Sequence, residues 1–235
     1  MEKQTPQNII NFIINDIFGF QNAFSLEEIQ ERFCKNIPLP QSVKCAMTGV
    51  DTWILPLETS PVINTDAVRK MKGIDDWMKP TKPINSIEDI LNSWKDINYQ
   101  KGEKLTNSVN VSASDSITSS SNVFYSSLIG NSKNIIFGYN NFNSTYLLAS
   151  RGNNSCTSGF RMLESIYCSS GFEVNYSNKV SKGFFINNCF DLYECMFCFN
   201  ITSKKYCIAN MQFEPEEYLR IKAIVIDWII KTYGK

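Results

Sequence analysis

Asn131-Ser132-Lys133-Asn134-Ile135, Asn153-Asn154-Ser155-Cys156, Asn187-Asn188-Cys189 and Ser203-Lys204-Lys205-Tyr206-Cys207 carry one recurring text: polar residues, then an apolar or cysteine position. Anchored on Ile135, the recurrence passes through Tyr146, Cys156, Tyr167, Asn178, Cys189 and Phe199 in steps of ten or eleven residues. An interval near eleven is too short for the familiar helical repeats, and two of them, about 22 residues, match one turn of a parallel β-helix. The text therefore predicts a mainly β fold, a parallel β-helix or β-solenoid, in which very short strands stack coil upon coil around a narrow interior.

The surrounding composition agrees. Ser and Asn make up 36 of the 105 residues from 106 to 210. A disordered linker of that kind would not need Phe137, Phe160, Phe172, Phe184, Phe185, Phe190, Phe197 and Phe199, so something buries those rings. Asn tolerates the left-handed backbone of a sharp corner, and Ser and Asn bond locally to corner backbone. Free cysteine behaves as a small hydrophobe that suits a narrow interior, which assigns Cys156, Cys168, Cys189, Cys195 and Cys207 to the core.

Three segments follow. Residues 1–104 read as a mixed, partly helical adaptor or cap, 105–212 as the solenoid, and 213–235 as a C-terminal capping helix. In the first, Ile9, Ile10, Phe12, Ile13, Ile17 and Phe18 have helical spacing up to Gly19. Ser25 and Glu28 form a capping box behind the apolar Phe24, opening a helix that covers Leu26, Ile29 and Phe33. A strand is expected over Thr52 to Leu57, a helix over Ala67 to Met78, and another over Ser86 to Trp94, where Ser86 and Asp89 make a second capping box. In the last segment Pro215, the acids at 216 and 217, and Tyr218, Ile221, Ile224, Val225, Trp228 and Ile229 predict a helix whose last turn holds Lys231 before Gly234, laid over the open edge of the solenoid.

Charge and residue usage narrow the function classes. Of 235 residues, 23 are Lys or Arg and 23 are Asp or Glu, so no net charge recommends nucleic acid or anionic lipid. The greasiest stretch, Ile221 to Ile230, is interrupted by Asp227 and is shorter than the roughly 20 apolar residues a bilayer needs. No secretory signal pattern is visible, so the expected location is the cytoplasm, or a virion if the gene is a phage's, with the eight cysteines mostly reduced. Histidine is absent, which removes the commonest general base and metal ligand and every Ser-His-Asp or Cys-His arrangement. No cofactor is expected.

Two candidate sites remain. Cys195 and Cys198 have zinc-knuckle spacing, and Cys189 and Cys207 lie near enough to complete a four-cysteine site. Against this, Phe197 and Phe199 flank Cys198 in a strand-like pattern and no second Cys-x-x-Cys exists, so packed thiols are the preferred assignment. Cys34 and Cys45, two single thiols, do not fill a tetrahedral site by themselves. For catalysis the alternative is a carbohydrate-active enzyme that uses a carboxylate pair drawn from Asp191, Glu194, Glu164 and Glu173, two of which would have to project from neighbouring turns on one face.

Asn36-Ile37-Pro38-Leu39-Pro40, Cys45-Ala46-Met47-Thr48-Gly49, the text from Asn122 onward, and above all Lys204-Lys205-Tyr206-Cys207-Ile208-Ala209-Asn210-Met211-Gln212-Phe213 leading to Glu216-Glu217-Tyr218 carry a resemblance. The chain resembles an uncharacterised Asn/Cys/Tyr-rich repeat protein group of candidate-phylum bacteria and their viruses. In that group the last motif marks where a solenoid ends and a helix begins, and paired Cys-x-x-Cys motifs near the front look like a zinc ribbon; here Cys34 and Cys45 are single. The resemblance implies a structural or accessory role and transfers no activity. The reading is therefore a nonenzymatic structural or interaction protein, a phage virion component or assembly adaptor, with protein partners or further copies of itself and with neither nucleic acid nor membrane.

Overall fold

The computed structural model describes residues 3–55, 60–71, 73 and 75–232. It is mainly β, a solenoid of about nine coils with five helices, α1 (Pro6–Phe18), α2 (Leu26–Phe33), α3 (Thr65–Lys70), α4 (Ile87–Lys95) and α5 (Pro215–Lys231), among the described residues.

One coil is twelve residues long. Thr145 follows Lys133 in the parallel register, Thr157 follows Thr145, and Ser169 and Ser181 continue the series. The expected turn of about 22 residues is thus corrected. Beneath the coil lies a shorter unit of three residues: from Asn107 to Ala209 every third residue has a positive φ, and only Gly152 among them is glycine. The residue after each left-handed one points inward, and the two others face outward or turn the corner. The anchors Ile135, Tyr146 and Asn178 occupy inward, left-handed and outward positions respectively, so their spacing mixed three different roles.

Left-handed backbone costs an L residue roughly 1–2 kcal/mol, and asparagine bears it best. This explains Asn107, Asn110, Asn122, Asn131, Asn134, Asn140, Asn143, Asn188 and Asn200, all of which stand at such positions. Each left-handed residue joins the coil before it: Asn131 donates its N–H to the Thr118 carbonyl at 3.1 Å and Asn143 to that of Gly130 at 3.0 Å. Outward side chains add to the ladder, since Asn110 donates to Asn122 and Asn122 to Asn134, each at 2.7 Å.

The interior has four positions per coil, and residues six apart face each other across it. In the first coils the large pair is Val123 and Ile129, with Ser120 and Ser126 at the other two positions. Farther along the pairs exchange: Gly171 and Ser177 become the small ones and Val174 and Val180 the large ones. A Cβ on Gly171 would meet Val174 Cγ2 at 2.7 Å, and one on Gly183 would meet Val180 Cγ1 at 2.6 Å, so these glycines are space already taken by a neighbour. Inward serines build a second ladder. Ser132 donates its hydroxyl to the Gly130 carbonyl at 2.7 Å and accepts the Ser144 N–H at 3.1 Å, and Ser120 and Ser144 repeat the pattern one coil away.

Outside, one stripe is apolar: Phe124, Ile136, Leu148, Phe160, Phe172, Phe184 and Met196, twelve residues apart, are all buried. Helix α1 covers it. Thr5 caps that helix, Gly19 at φ 75° ends it, and its buried face of Ile9, Ile10, Ile13, Ile14, Ile17 and Phe18 meets the stripe. The Phe18 ring lies 5.3 Å from Phe172 and 5.6 Å from Phe184, and Phe33 of α2 lies 4.7 Å from Phe160. The α2 capping box of Ser25 and Glu28 is formed. Thus the first helices share one core with the flank of the solenoid.

The ends are closed differently. At the start, buried Asp115 accepts the N–H of Lys104 at 3.0 Å and of Leu55 at 3.4 Å, tying the short parallel pair Val62–Ile63 and Gln100–Lys101 and its neighbours to the first coils. At the finish the chain folds back as an antiparallel hairpin, Cys207–Ile208 against Met211–Gln212. Helix α5 closes that end from the side. It runs back along the flank, with Tyr218 against Tyr206 at 5.5 Å, Lys222 on Glu194 at 2.7 Å, and Trp228 near Phe185 at 5.7 Å, until Arg32 of α2 donates to the Ile229 and Ile230 carbonyls. The hairpin turns the chain sideways, and the apolar flank is the surface the helix can bury.

Two local expectations also change. The helix expected to reach Met78 ends at Lys70, because Asp76 takes the Gly73 N–H at 2.7 Å and forms a turn instead. The strand expected to Leu57 is Asp51–Ile54, paired antiparallel with Gln41–Lys44; Leu57 and Gly234 lie outside the described residues.

Gly171→Val should lower the urea midpoint by an amount equivalent to about 1–3 kcal/mol, the usual cost of overpacking. An unchanged midpoint would show that the interior has slack.

Candidate functional site

The four carboxylates singled out from the sequence all occupy left-handed positions, but in four different columns of the twelve-residue coil. Asp191 is exposed and accepts from Ser203 one coil on at 3.0 Å. Glu164 pairs with Arg151 at 3.4 Å. Glu173 is buried against Arg161, whose guanidinium also donates to the Phe33 carbonyl. Glu194 is buried between Lys222 of α5 at 2.7 Å and Lys182 at 3.5 Å. The structure brings no two of them together on neighbouring coils of one corner, and Glu173 and Glu194 instead fasten helices to the flank.

The cysteines are inward. Cys156, Cys168, Cys189, Cys195, Cys198 and Cys207 are all buried at interior positions, and all eight thiols of the chain are free. Cys198 donates to the Met196 carbonyl at 3.3 Å and Cys195 to that of Tyr193 at 3.5 Å, which satisfies these thiols within the coil. The two thiols lie side by side and shift in opposite senses: the neighbouring Cys195 holds the Cys198 thiol below its ordinary range, while Cys198 and burial push Cys195 up. No group of three or more Cys, Asp, Glu or His side chains with metal-holding geometry occurs among the described residues.

The surface that stands out is α4. Ser86 and Asp89 form the expected capping box, and the N–H groups of Asn85 and Ser86 together with the Ser86 hydroxyl keep the Asp89 carboxyl below the usual range. No residue of this helix is buried. Ile87, Ile90, Leu91 and Trp94 follow at helical spacing and form one apolar stripe, each about half exposed (47–59%). A nine-residue helix is marginal in water by itself, and a contiguous apolar stripe on a folded protein marks an interaction surface. Clefts flank it on two sides. One of about 500 Å³ is lined by Lys79, Pro80, Lys82, Ile84, Ser93 and Ile97, and one of about 210 Å³ by Pro61, Leu91, Trp94 and Asn98. The helix is tethered at its end by Asn98, which donates to Ser60 at 3.2 Å, and by the Gln100 N–H on the Pro61 carbonyl at 2.8 Å. The amphipathic spacing of this helix is visible in the sequence, but its lack of buried residues is not.

No helix is long and apolar enough to cross a membrane among the described residues. No family model matches the chain, and no curated protein matches it.

Two outcomes are expected. Arg161→Met should cost about 3–5 kcal/mol by removing the guanidinium that joins the buried Glu173 carboxylate to the Phe33 carbonyl, and adding Glu173→Leu should recover part of it in equilibrium unfolding, as for other buried pairs. With an aromatic disulfide reagent, Cys45 should react before any solenoid thiol. Burial raises its thiol, but hydrogen bonds from Thr48 and from the Asn64, Met47 and Thr48 N–H groups outweigh that, and it lies in the front segment, whereas Cys156 and Cys198, also lowered, are enclosed by the coils; burial pushes Cys34 up to about 12. Earlier modification of Cys156 or Cys189 would contradict the inward assignment.

Proposed function

We propose that the protein is a nonenzymatic interaction protein: a rigid β-solenoid that presents α4 to a second copy of the same chain. The observation that carries this reading is the apolar stripe of Ile87, Ile90, Leu91 and Trp94, on a helix with no buried residue. Burying such side chains yields about 1.5–3 kcal/mol each, and the helix would gain in the same step the packing that a short helix needs.

A second copy suits the surface. In a two-fold pair the same patch meets itself, and antiparallel helices bring the acidic first turn, with Glu88 and Asp89, beside the Lys95 end of the partner copy. A chain with 23 cationic and 23 anionic residues opposes such an approach little. The finer role follows from the resemblance of residues 204–218: a phage virion component or assembly adaptor, in which stacked coils give a stiff spacer between contacts.

Sedimentation velocity at tens of micromolar should find a dimer of the wild type, and the double substitution Ile90→Asp and Trp94→Asp should give a monomer with unchanged circular dichroism. A monomeric wild type over that range, or a dimer that survives the substitution, would refute this role for α4.

A further inference from the structure

A shallow groove of about 290 Å³ lies on a helix-free face of the last coils, where Lys179, Ser181, Asp191, Tyr193, Ser203 and Lys205 meet. Lys204, the residue after left-handed Ser203, points instead toward the interior beside Cys207. Lys182 and Lys222 nearby are bound to Glu194, but no ion pair among the described residues takes up Lys179 or Lys205. Two ammonium groups, those of Lys179 and Lys205, therefore stand around one groove without an ion pair, in a chain whose overall charge is balanced.

Exposed lysines on an edge strand keep sheets from pairing end to end. That accounts for Lys204 and Lys205, which lie on the last strand of their side, Thr202–Lys205, paired only with Phe190–Tyr193. It does not account for Lys179, which stands two coils earlier on Asn178–Ser181, a strand paired on both sides. Two coils at strand spacing are about 10 Å, so Lys179 and Lys205 bracket a floor formed by the other four side chains.

The floor is not that of a site for a bare inorganic anion. Asp191 lies in it, with one carboxylate oxygen accepting from Ser203 and the other left to accept another hydroxyl. The Tyr193 ring is exposed to the groove, with the Lys182 ammonium 5.6 Å from its centroid. Cations at the ends, a hydroxyl acceptor in the middle and an aromatic plane beside it are the requirements of a polar ring that carries an oxyanion.

We propose that this groove binds an acidic sugar, a pyranose bearing a carboxylate or a sulfate, with the oxyanion between Lys179 and Lys205, a ring hydroxyl on Asp191 and the ring against Tyr193. Binding is reversible and needs no chemical step. It is independent of α4, because the groove lies on the coils.

Calorimetric titration of the full chain tests it with four probes: trigalacturonate, a heparin-derived tetrasaccharide, uncharged maltotriose and inorganic sulfate. One of the two acidic oligosaccharides should bind at least about tenfold more tightly than maltotriose or sulfate, and which one does so identifies the oxyanion. Lys179→Glu should weaken that binding by at least about tenfold, the scale of one lost charge-assisted contact, with the thermal midpoint unchanged. Tyr193→Ala should weaken the oligosaccharide and leave the response to sulfate alone. Sulfate binding as tightly as the sugars, no binding by either acidic sugar, or full affinity in Lys179→Glu would each overturn the proposal.

Discussion

The structure depends on one backbone constraint, a left-handed residue at every third position through about nine coils. Each such residue turns the chain, so that a coil closes in twelve residues and leaves room inside for only four side chains. The conformational cost recurs at every corner, at roughly 1–2 kcal/mol where the residue is not glycine or asparagine. It is offset by contacts that also recur: backbone bonds from coil to coil, the hydroxyl ladder inside, and the Asn stack outside. Periodicity is therefore a condition of stability, since an isolated coil would carry the strain with few of the bonds.

The same constraint distributes the surfaces. Because outward positions recur every twelve residues, a stripe of identical chemistry needs only one position per coil. The stripe from Phe124 to Met196 takes up α1, α2 and α5 and makes the thickest core of the molecule. Buried ion pairs of Glu173 and Glu194 fix where those helices sit, and Phe142, Ile166, Phe190 and Phe199 stay exposed on other faces. Helix α4 stands apart from this arrangement, held by its caps and tethers, which is why its apolar stripe is open.

Much of this was legible in the chain. The caps at Ser25 and Ser86, the glycine stop at Gly19 and the Pro215 start are local chemistry, and they stand where local chemistry puts them. The solenoid was legible from Asn and Ser interleaved with buried rings. Its repeat was not, because the eye follows large residues, and here large residues occupy inward, outward and corner positions alike. The true period is nonetheless written in every third residue, as in Ser114, Ile117, Ser120, Val123, Ser126, Ile129, Ser132 and Ile135. Without it, Asp191, Glu194, Glu164 and Glu173 could not be assigned to corners. The course of α5 was illegible for another reason: its apolar face fits an end or a flank equally, and the choice lies in tertiary contacts.

The exchange of large and small positions inside the solenoid has a bearing on how the chain finds its register. Parallel repeats of uniform content can slide by a whole coil with little loss, which gives a folding chain many near-equivalent traps. Here each half carries its bulk on a different diagonal, and Asn141 and Asn153, bonded to each other at 2.9 Å, occupy the crossover. A coil from one half placed in the other would set valine against isoleucine where a serine or glycine belongs, and leave a void across from it. The interior works as an address, distinguishing coils that look alike from outside and opposing exchange of coils between neighbouring molecules.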